Sequence, residues 1–336
     1  MMNEKKSISS RDVAREAGVS QATVSYILND VKNVKIKPET RAAVIAAVKK
    51  LNYHPNEIAR GMKLKKSMSI GVVTHRNVTN FYFMKTLEGI RDGLQKNNYS
   101  ITLLFNKPEE AADAEYVQYY NSNRLDGIIF AFADIDPDMA DYLTENGIPF
   151  VLVDSIHSDR DVYEVCTDHL SHIPKVIEYF ISKGVKRIGY AGPNPARISD
   201  SRLEAFKRAI LEYDLDIDEN LIATSDFGDD NIFAATTKLL SCKKRPEALL
   251  AGSPRFGIIS VKCSQSLGVK VPEELKIIAL GTSNFFNVTF PSLSAVELPL
   301  YDMGFTAAER LIDLITGHEV EKSKVLPSEL VIRDSS

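Results

Sequence analysis

Gln21, Ala22, Ser25, Tyr26 and Asn29 fall on the unpacked face of one short helical pattern and gather toward its N-terminal end. These side chains suit the edges and backbone of a base-paired duplex. A Gln amide can make paired hydrogen bonds to adenine, an Ala methyl can touch a thymine methyl, and the hydroxyls of Thr23 and Ser25 suit phosphate oxygens. Tyr26 can read with one hydroxyl and with ring contacts. The element that must present them is the second half of SSRDVAREAGVSQATVSYILN, residues 9–29. Val13, Ala14 and Ala17 recur at helical spacing, and Val24, Ile27 and Leu28 do so again after Ser20, giving each helix an apolar stripe. Between them Gly18 can take the left-handed backbone of a sharp turn, and Ser20 can cap the second helix. Two short helices crossed on such stripes make a helix-turn-helix pattern, in which the free N-terminal end of the second helix enters the DNA major groove. An ordinary helical hairpin with a polar outer face shares this pattern. N-terminal placement and local charge favour DNA.

That charge is hidden in the whole chain, where 41 Lys and Arg stand against 45 Asp and Glu in 336 residues, a net of −4. Residues 1–68 hold 14 Lys and Arg against 6 Asp and Glu, and the remainder holds 27 against 39. The chain is a small basic head on a large acidic body, long enough for two or three compact units. Residues 1–7 lack the apolar stretch of a signal peptide, and no apolar run reaches membrane-spanning length. Cys166, Cys242 and Cys263 form no Cys-x-x-Cys pair and read as free thiols of a reducing, cytoplasmic compartment.

After a polar basic loop, Pro38 opens a third helix, PETRAAVIAAVKKL, with Val44, Ile45, Val48 and Leu51 on one face, completing a three-helix core. Tyr53, His54 and Pro55 break it. Asn56 then caps a helical pattern, EIARGMKL, ending in Lys63, Lys65 and Lys66, too short to be stable unaided. Beyond Ser69, apolar runs such as SIGVV, GIIFAF, PFVLV, RIGYA, EALLA and KIIAL alternate with amphipathic stretches at 84–97, 168–183 and 201–213. The alternation predicts parallel sheets sandwiched by helices.

In order and spacing, RDVAREAGVSQATVSYILN, PETRAAVIAAVKKLNYHPNEIARGMK and SIGVV together resemble the head and hinge of the LacI/GalR family of bacterial transcription regulators. The resemblance continues through the rest of the chain. It implies an α/β protein with a helix-turn-helix head at 1–55, a hinge helix and linker at 56–68, and a two-lobed, periplasmic-binding-protein-like core at 69–336. One lobe is expected at 69–160 with a return at 294–317, the other at 161–291 with the last strand. In the family, hinge helices of two subunits pair in the minor groove and each inserts an apolar wedge; by position the wedge is Met62, followed by Lys63. Two departures bear on DNA reading. The loop before the third helix is longer than the usual pattern, and Tyr26 stands where many relatives carry Arg or His, so their central bases do not carry over.

Within the core, the resemblance places Tyr82 and Phe83 as the aromatic pair lining an effector cleft, and Arg202 as the arginine that holds the effector. Arg197 flanks it. Across the cleft, where the family has Gly-aromatic-Asp-Asp, this chain has Gly281, Thr282, Ser283 and Asn284, and another family Asp is replaced by Pro254. Those acids bind sugar hydroxyls in sugar-responsive members. With His75, Arg76, Arg197, Arg202 and Arg255 expected near strand ends, the pattern predicts an anionic effector.

Catalysis finds little support. No Gly-x-Gly-x-x-Gly, Walker loop or Gly-x-Ser-x-Gly elbow is present, and Cys166, Asp168, His169 and His172 fit no closed zinc spacing. The expectation is therefore a dimeric, effector-controlled DNA-binding regulator, most readily a repressor, that needs no cofactor. The alternative is a cytoplasmic ligand-binding protein or metabolic enzyme on the same two-lobed core.

Overall fold

The computed structural model describes residues 8–28, 34–53, 66–75, 79–105, 114–133, 135–154, 162–195 and 202–336. They divide into two compact units, 1–67 and 68–336.

In the first unit, α1 (Ser10–Ala17) begins where the Asp12 carboxylate accepts from the Ser9 amide at 2.9 Å and hydroxyl at 2.7 Å. It ends at Gly18, whose φ of +66° is the left-handed conformation expected of it. α2 (Gln21–Leu28) and α3 (Pro38–Lys50) complete a core of Val13, Ala14, Val24, Ile27, Val44 and Ala47. One expected core residue is misplaced. Ile45 is 44% exposed. At about 100° per residue, the buried stripe of α3 runs through Val44, Ala47, Val48 and Leu51, and Ile45 turns outward.

The second unit is built on two six-stranded sheets. The first comprises β1 (Ser69–Thr74), β2 (Ser100–Phe105), β3 (Gly127–Ala131), β4 (Phe150–Val153), β5 (Glu164–Thr167) and β11 (Ser323–Leu326), in the order β11-β5-β4-β3-β1-β2, all parallel. The second comprises β6 (Ile188–Pro193), β7 (Ile222–Ser225), β8 (Ala248–Ala251), β9 (Lys276–Leu280), β10 (Ser294–Glu297) and β12 (Glu329–Val331), in the order β12-β10-β9-β8-β6-β7. Only β12 runs antiparallel to its neighbour. The central strands of each sheet are buried on both faces and so read as continuous apolar runs, whereas edge strands such as β7 and β11 are largely exposed or half-buried. Ile70 and Val72 join the core beneath α4 (Phe81–Gln95) and α11 (Leu300–Thr316), whereas Val73 joins the cluster on the opposite face.

The lobe boundaries differ from expectation. β5 pairs with β4 and so belongs to the first sheet, while β10 pairs with β9, with Ser294 opposite Ile278, and belongs to the second. The chain returns to the first lobe across Leu298 and Pro299 into α11. Among the described residues no helix is long and apolar enough to cross a membrane.

Candidate DNA interface and effector cleft

In the head, the Ser20 hydroxyl accepts from the Thr23 amide at 3.1 Å, fixing the start of α2 as an N-cap does. It also lies 2.9 Å from the Thr23 hydroxyl. Val24 and Ile27 face the core, Thr23 and Ser25 are half-buried, and Gln21, Ala22 and Tyr26 are exposed. Of the expected base-reading face, Gln21, Ala22 and Tyr26 are thus turned to solvent. Gln21 is already engaged there: its Nε2 donates to the Ser10 hydroxyl at 2.8 Å, tying the first turn of α2 to that of α1. Asn29, Met62 and Lys63 lie outside the described residues.

In the core, a cleft of about 1110 Å³ opens where the C-terminal ends of the strands of both sheets face each other. Its first-lobe wall is the beginning of α4. There Asn80 caps the helix by accepting from the Phe83 amide at 3.1 Å, and Phe81 and Tyr82 line the cleft. Asp154, just past β4 with a φ of +60°, adds a carboxylate. The opposing wall brings Arg202 from the start of α8 (Arg202–Glu212) and Asp229 and Asp230 from the start of α9 (Asp229–Leu240). Pro254 and Arg255 come from the start of α10 (Pro254–Ser266), which Ser253 caps, and Ser283 and Asn284 follow β9. Four helix N-termini consequently border one space, where their dipoles favour polar ligand groups.

Tyr82, Arg202, Ser283 and Asn284 therefore converge as expected. Phe83 does not. It is fully buried against Ile70, Val72 and Ile90, because one further step along α4 rotates it from the cleft to the sheet. Phe81 takes the second aromatic position. His75 is exposed and does not line the cleft; Arg76 and Arg197 lie outside the described residues.

The expected excess of positive charge is also corrected. Asp154, Asp229 and Asp230 line the same cleft as Arg202, Arg255 and Lys262. Arg255 Nε donates to Asp229 at 2.6 Å, which raises the guanidinium pKa and lowers that of the carboxyl. Lys262 Nζ lies 5.5 Å from the Phe233 ring centroid. Arg202 donates to the Gly252 carbonyl at 2.6 Å, and this bond aims the guanidinium along the cleft wall. Phe227, Phe233 and Phe285 add aromatic surface opposite Phe81 and Tyr82. Sequence reading did not place Phe227, Asp229, Asp230 or Lys262 here. Asp154 carried a usable signal, since it directly follows the PFVLV strand at its carboxyl end.

Among the described residues no group of three or more His, Cys, Asp or Glu side chains could hold a metal ion; Cys166 is buried in β5 beside Ser323, and His172 is half-buried at the start of α7 (His172–Ser182).

A capped helix with a free polar face on a three-helix head, joined in one chain to a two-lobed core with a ligand-sized cleft, defines the class of DNA-binding regulators. Comparison with known proteins agrees. Residues 10–56 match the model of bacterial regulatory proteins of the lacI family, and residues 177–336 match a periplasmic binding protein-like domain. Catabolite control protein A of Staphylococcus xylosus is 30% identical over 327 residues, covering 97% of this chain and 98% of that protein. The protein of the same name from Staphylococcus epidermidis is 31% identical over 329 residues, with the same coverage. Among solved structures, the transcriptional regulator CelR–cellobiose complex superposes with a TM-score of 0.69 at 25% identity, covering 98% of this chain and all of that one. The Lac repressor bound to ONPG gives 0.80 at 22% identity and the same coverage, a likeness of fold. The chain belongs to the lacI family of bacterial regulatory proteins; it is a transcription regulator and not an enzyme.

Proposed function

We propose that this chain is a cytoplasmic repressor that binds a pseudo-palindromic operator as a homodimer, with operator affinity set by a small molecule in the core cleft. The observation that carries this reading is the solvent-facing row Gln21, Ala22 and Tyr26 on a helix whose N-terminus is fixed by Ser20. In that position the row reads base edges, while Thr23 and Ser25 meet phosphates and Asn29 extends the same face. Met62 acts as the minor-groove wedge with Lys63 on the backbone. Two-fold pairing follows from the need to place two such heads on one operator.

The effector reading rests on the cleft, whose aromatic surfaces and polar groups face each other across two lobes. An anionic effector finds narrower support than sequence suggested. Its charge falls to Arg202 and Lys262, because Asp229 already holds Arg255. Thermal-shift screening of metabolites decides the class: stabilisation by an anion that vanishes in Arg202→Ala supports it, and stabilisation by neutral sugars alone, unaffected by that change, excludes it.

The operator reading is tested by recovering genomic fragments retained by the purified protein. Expected are sites with two inverted half-sites, and an affinity that drops by about 10³-fold or more between 50 and 200 mM salt if six or more phosphates are contacted. Salt-insensitive binding, or occupation of one asymmetric half-site by a monomer, overturns it.

A further inference from the structure

The two walls of the cleft are joined by a bond that no sequence motif announces. The Tyr82 hydroxyl, on the first turn of α4, accepts from the Thr282 amide at 2.9 Å, a pairing of residues 200 positions apart. Gly281 makes this approach feasible. Its φ is +101°, a conformation that side chains rarely adopt, and a Cβ there would collide with the Tyr82 hydroxyl and crowd Pro254. The Tyr82 ring is also held from behind, edge-on to Phe132 at 6.0 Å between centroids.

Thr282 is engaged a second time. Its hydroxyl accepts from the Leu298 amide at 2.6 Å and lies 3.3 Å from the Leu298 carbonyl. Leu298 begins the passage from β10 in one lobe to α11 in the other. One turn farther along α4, the buried Thr86 hydroxyl donates to the Leu300 carbonyl at 3.0 Å, at the other end of that passage. A single residue of the second lobe thus holds both the first-lobe wall of the cleft and the start of a passage between the lobes. Where the family resemblance calls for an aromatic after the glycine, a threonine supplies the hydroxyl that this requires.

We propose that Tyr82, Thr282 and Leu298 form a clasp that holds the two lobes at one closure, with Thr282 as the positioning residue. Ser283 and Asn284 follow Thr282 directly and line the cleft, so a molecule that displaces them pulls on the clasp, and the lobe angle responds to occupancy. That regulatory meaning rests on the cleft being the effector site. The clasp is made only of contacts within this chain and is tested on the ligand-free protein.

The test is amide hydrogen exchange, resolved to single residues, on the ligand-free full chain. Tyr82→Phe removes one oxygen and leaves the ring. It is expected to speed exchange at Thr282 about fivefold, the equivalent of one net hydrogen bond, while amides within β1 and β8 keep their rates. Thr282→Ala is expected to speed exchange at Leu298 by a similar factor, and Thr282→Ser to restore the original rate. Unchanged exchange at Thr282 in Tyr82→Phe, acceleration spread evenly over both sheets, or failure of Thr282→Ser to restore Leu298 would each overturn the clasp. Gly281→Ala gives a second reading: it must reproduce the Thr282 acceleration, because its Cβ evicts the Tyr82 hydroxyl. If the clasp is confirmed and no cleft ligand alters these amides, the effector reading fails and the clasp stands.

Discussion

Replacing Gln21 by alanine tests base reading at the residue where the structure supplies both the gain and the cost. A Gln–adenine pair discriminates by about 1–3 kcal/mol. In the free head, however, the Gln21 amide donates to the Ser10 hydroxyl at 2.8 Å, a bond that must be released before the side chain can reach a base. For an exposed, neutral pair that release costs about 0.5 kcal/mol, the low end of the usual range. The net loss expected for Gln21→Ala is then about 0.5–2.5 kcal/mol per half-site, or roughly 2- to 70-fold in affinity. Competition binding against an operator series substituted at every position measures it. One position in each half-site should lose its base preference, and the others should keep theirs. Ser10→Ala supplies the complementary arm. It removes the release cost, so it should leave the base preference intact and tighten binding by about twofold per half-site at most. An unchanged preference profile in Gln21→Ala would remove Gln21 from the readout. Weaker specific binding in Ser10→Ala, with the helix intact by circular dichroism, would mean that Gln21 remains on Ser10 in the complex.

Two further predictions concern stability. Val24 is fully buried in the head, and Val24→Ala forfeits about 1.6 kcal/mol of transfer free energy plus a cavity term, against a total of about 3–9 kcal/mol for a domain of this size. Operator binding should weaken and head amides should exchange faster, while the core retains its melting temperature; a lower core melting temperature would contradict the separation of the two units. Burial and the nearby Asp126 carboxylate push the Tyr99 hydroxyl pKa up to about 12 from an ordinary 10. Because the folded state holds this proton more tightly, the stability it contributes is complete below pH 10 and is lost as pH rises toward 12. Calorimetry of wild type and Tyr99→Phe across that window should show a steeper decline in wild type, and parallel curves would refute the assignment.

What could be read from sequence was local. The turn at Gly18, the cap at Ser20 and the buried faces of α1 and α2 depend on neighbours within four residues, and they stand as expected. The strands at 69–74, 127–131, 150–153 and 276–280 announced themselves as apolar runs because both sheet faces are covered. Strand order is nonlocal, and there the sequence expectation puts β5 and β10 in the wrong lobes. The cleft divides in the same way. Tyr82, Arg202, Ser283 and Asn284 carry motif positions, whereas Asp229 and Asp230 enter only because α9 begins beside α10. The Arg255–Asp229 pair joins residues 26 apart, so the charge balance of the cleft had no signature along the chain. Phe83 shows the limit of resolution within an element, since a single 100° step decides between cleft and core.

The central claim is that the head reads DNA under control of the core, and linkage tests it most directly. With a retained operator and a metabolite that stabilises the core in hand, operator affinity is titrated with and without saturating metabolite, and metabolite affinity with and without operator. The two ratios must be equal, because coupling free energy is reciprocal, and a factor of about 5- to 150-fold is expected. In Arg202→Ala, operator affinity without metabolite should be retained and the effect of metabolite at the wild-type saturating concentration should disappear. Operator affinity that stays constant while the cleft fills would contradict the account.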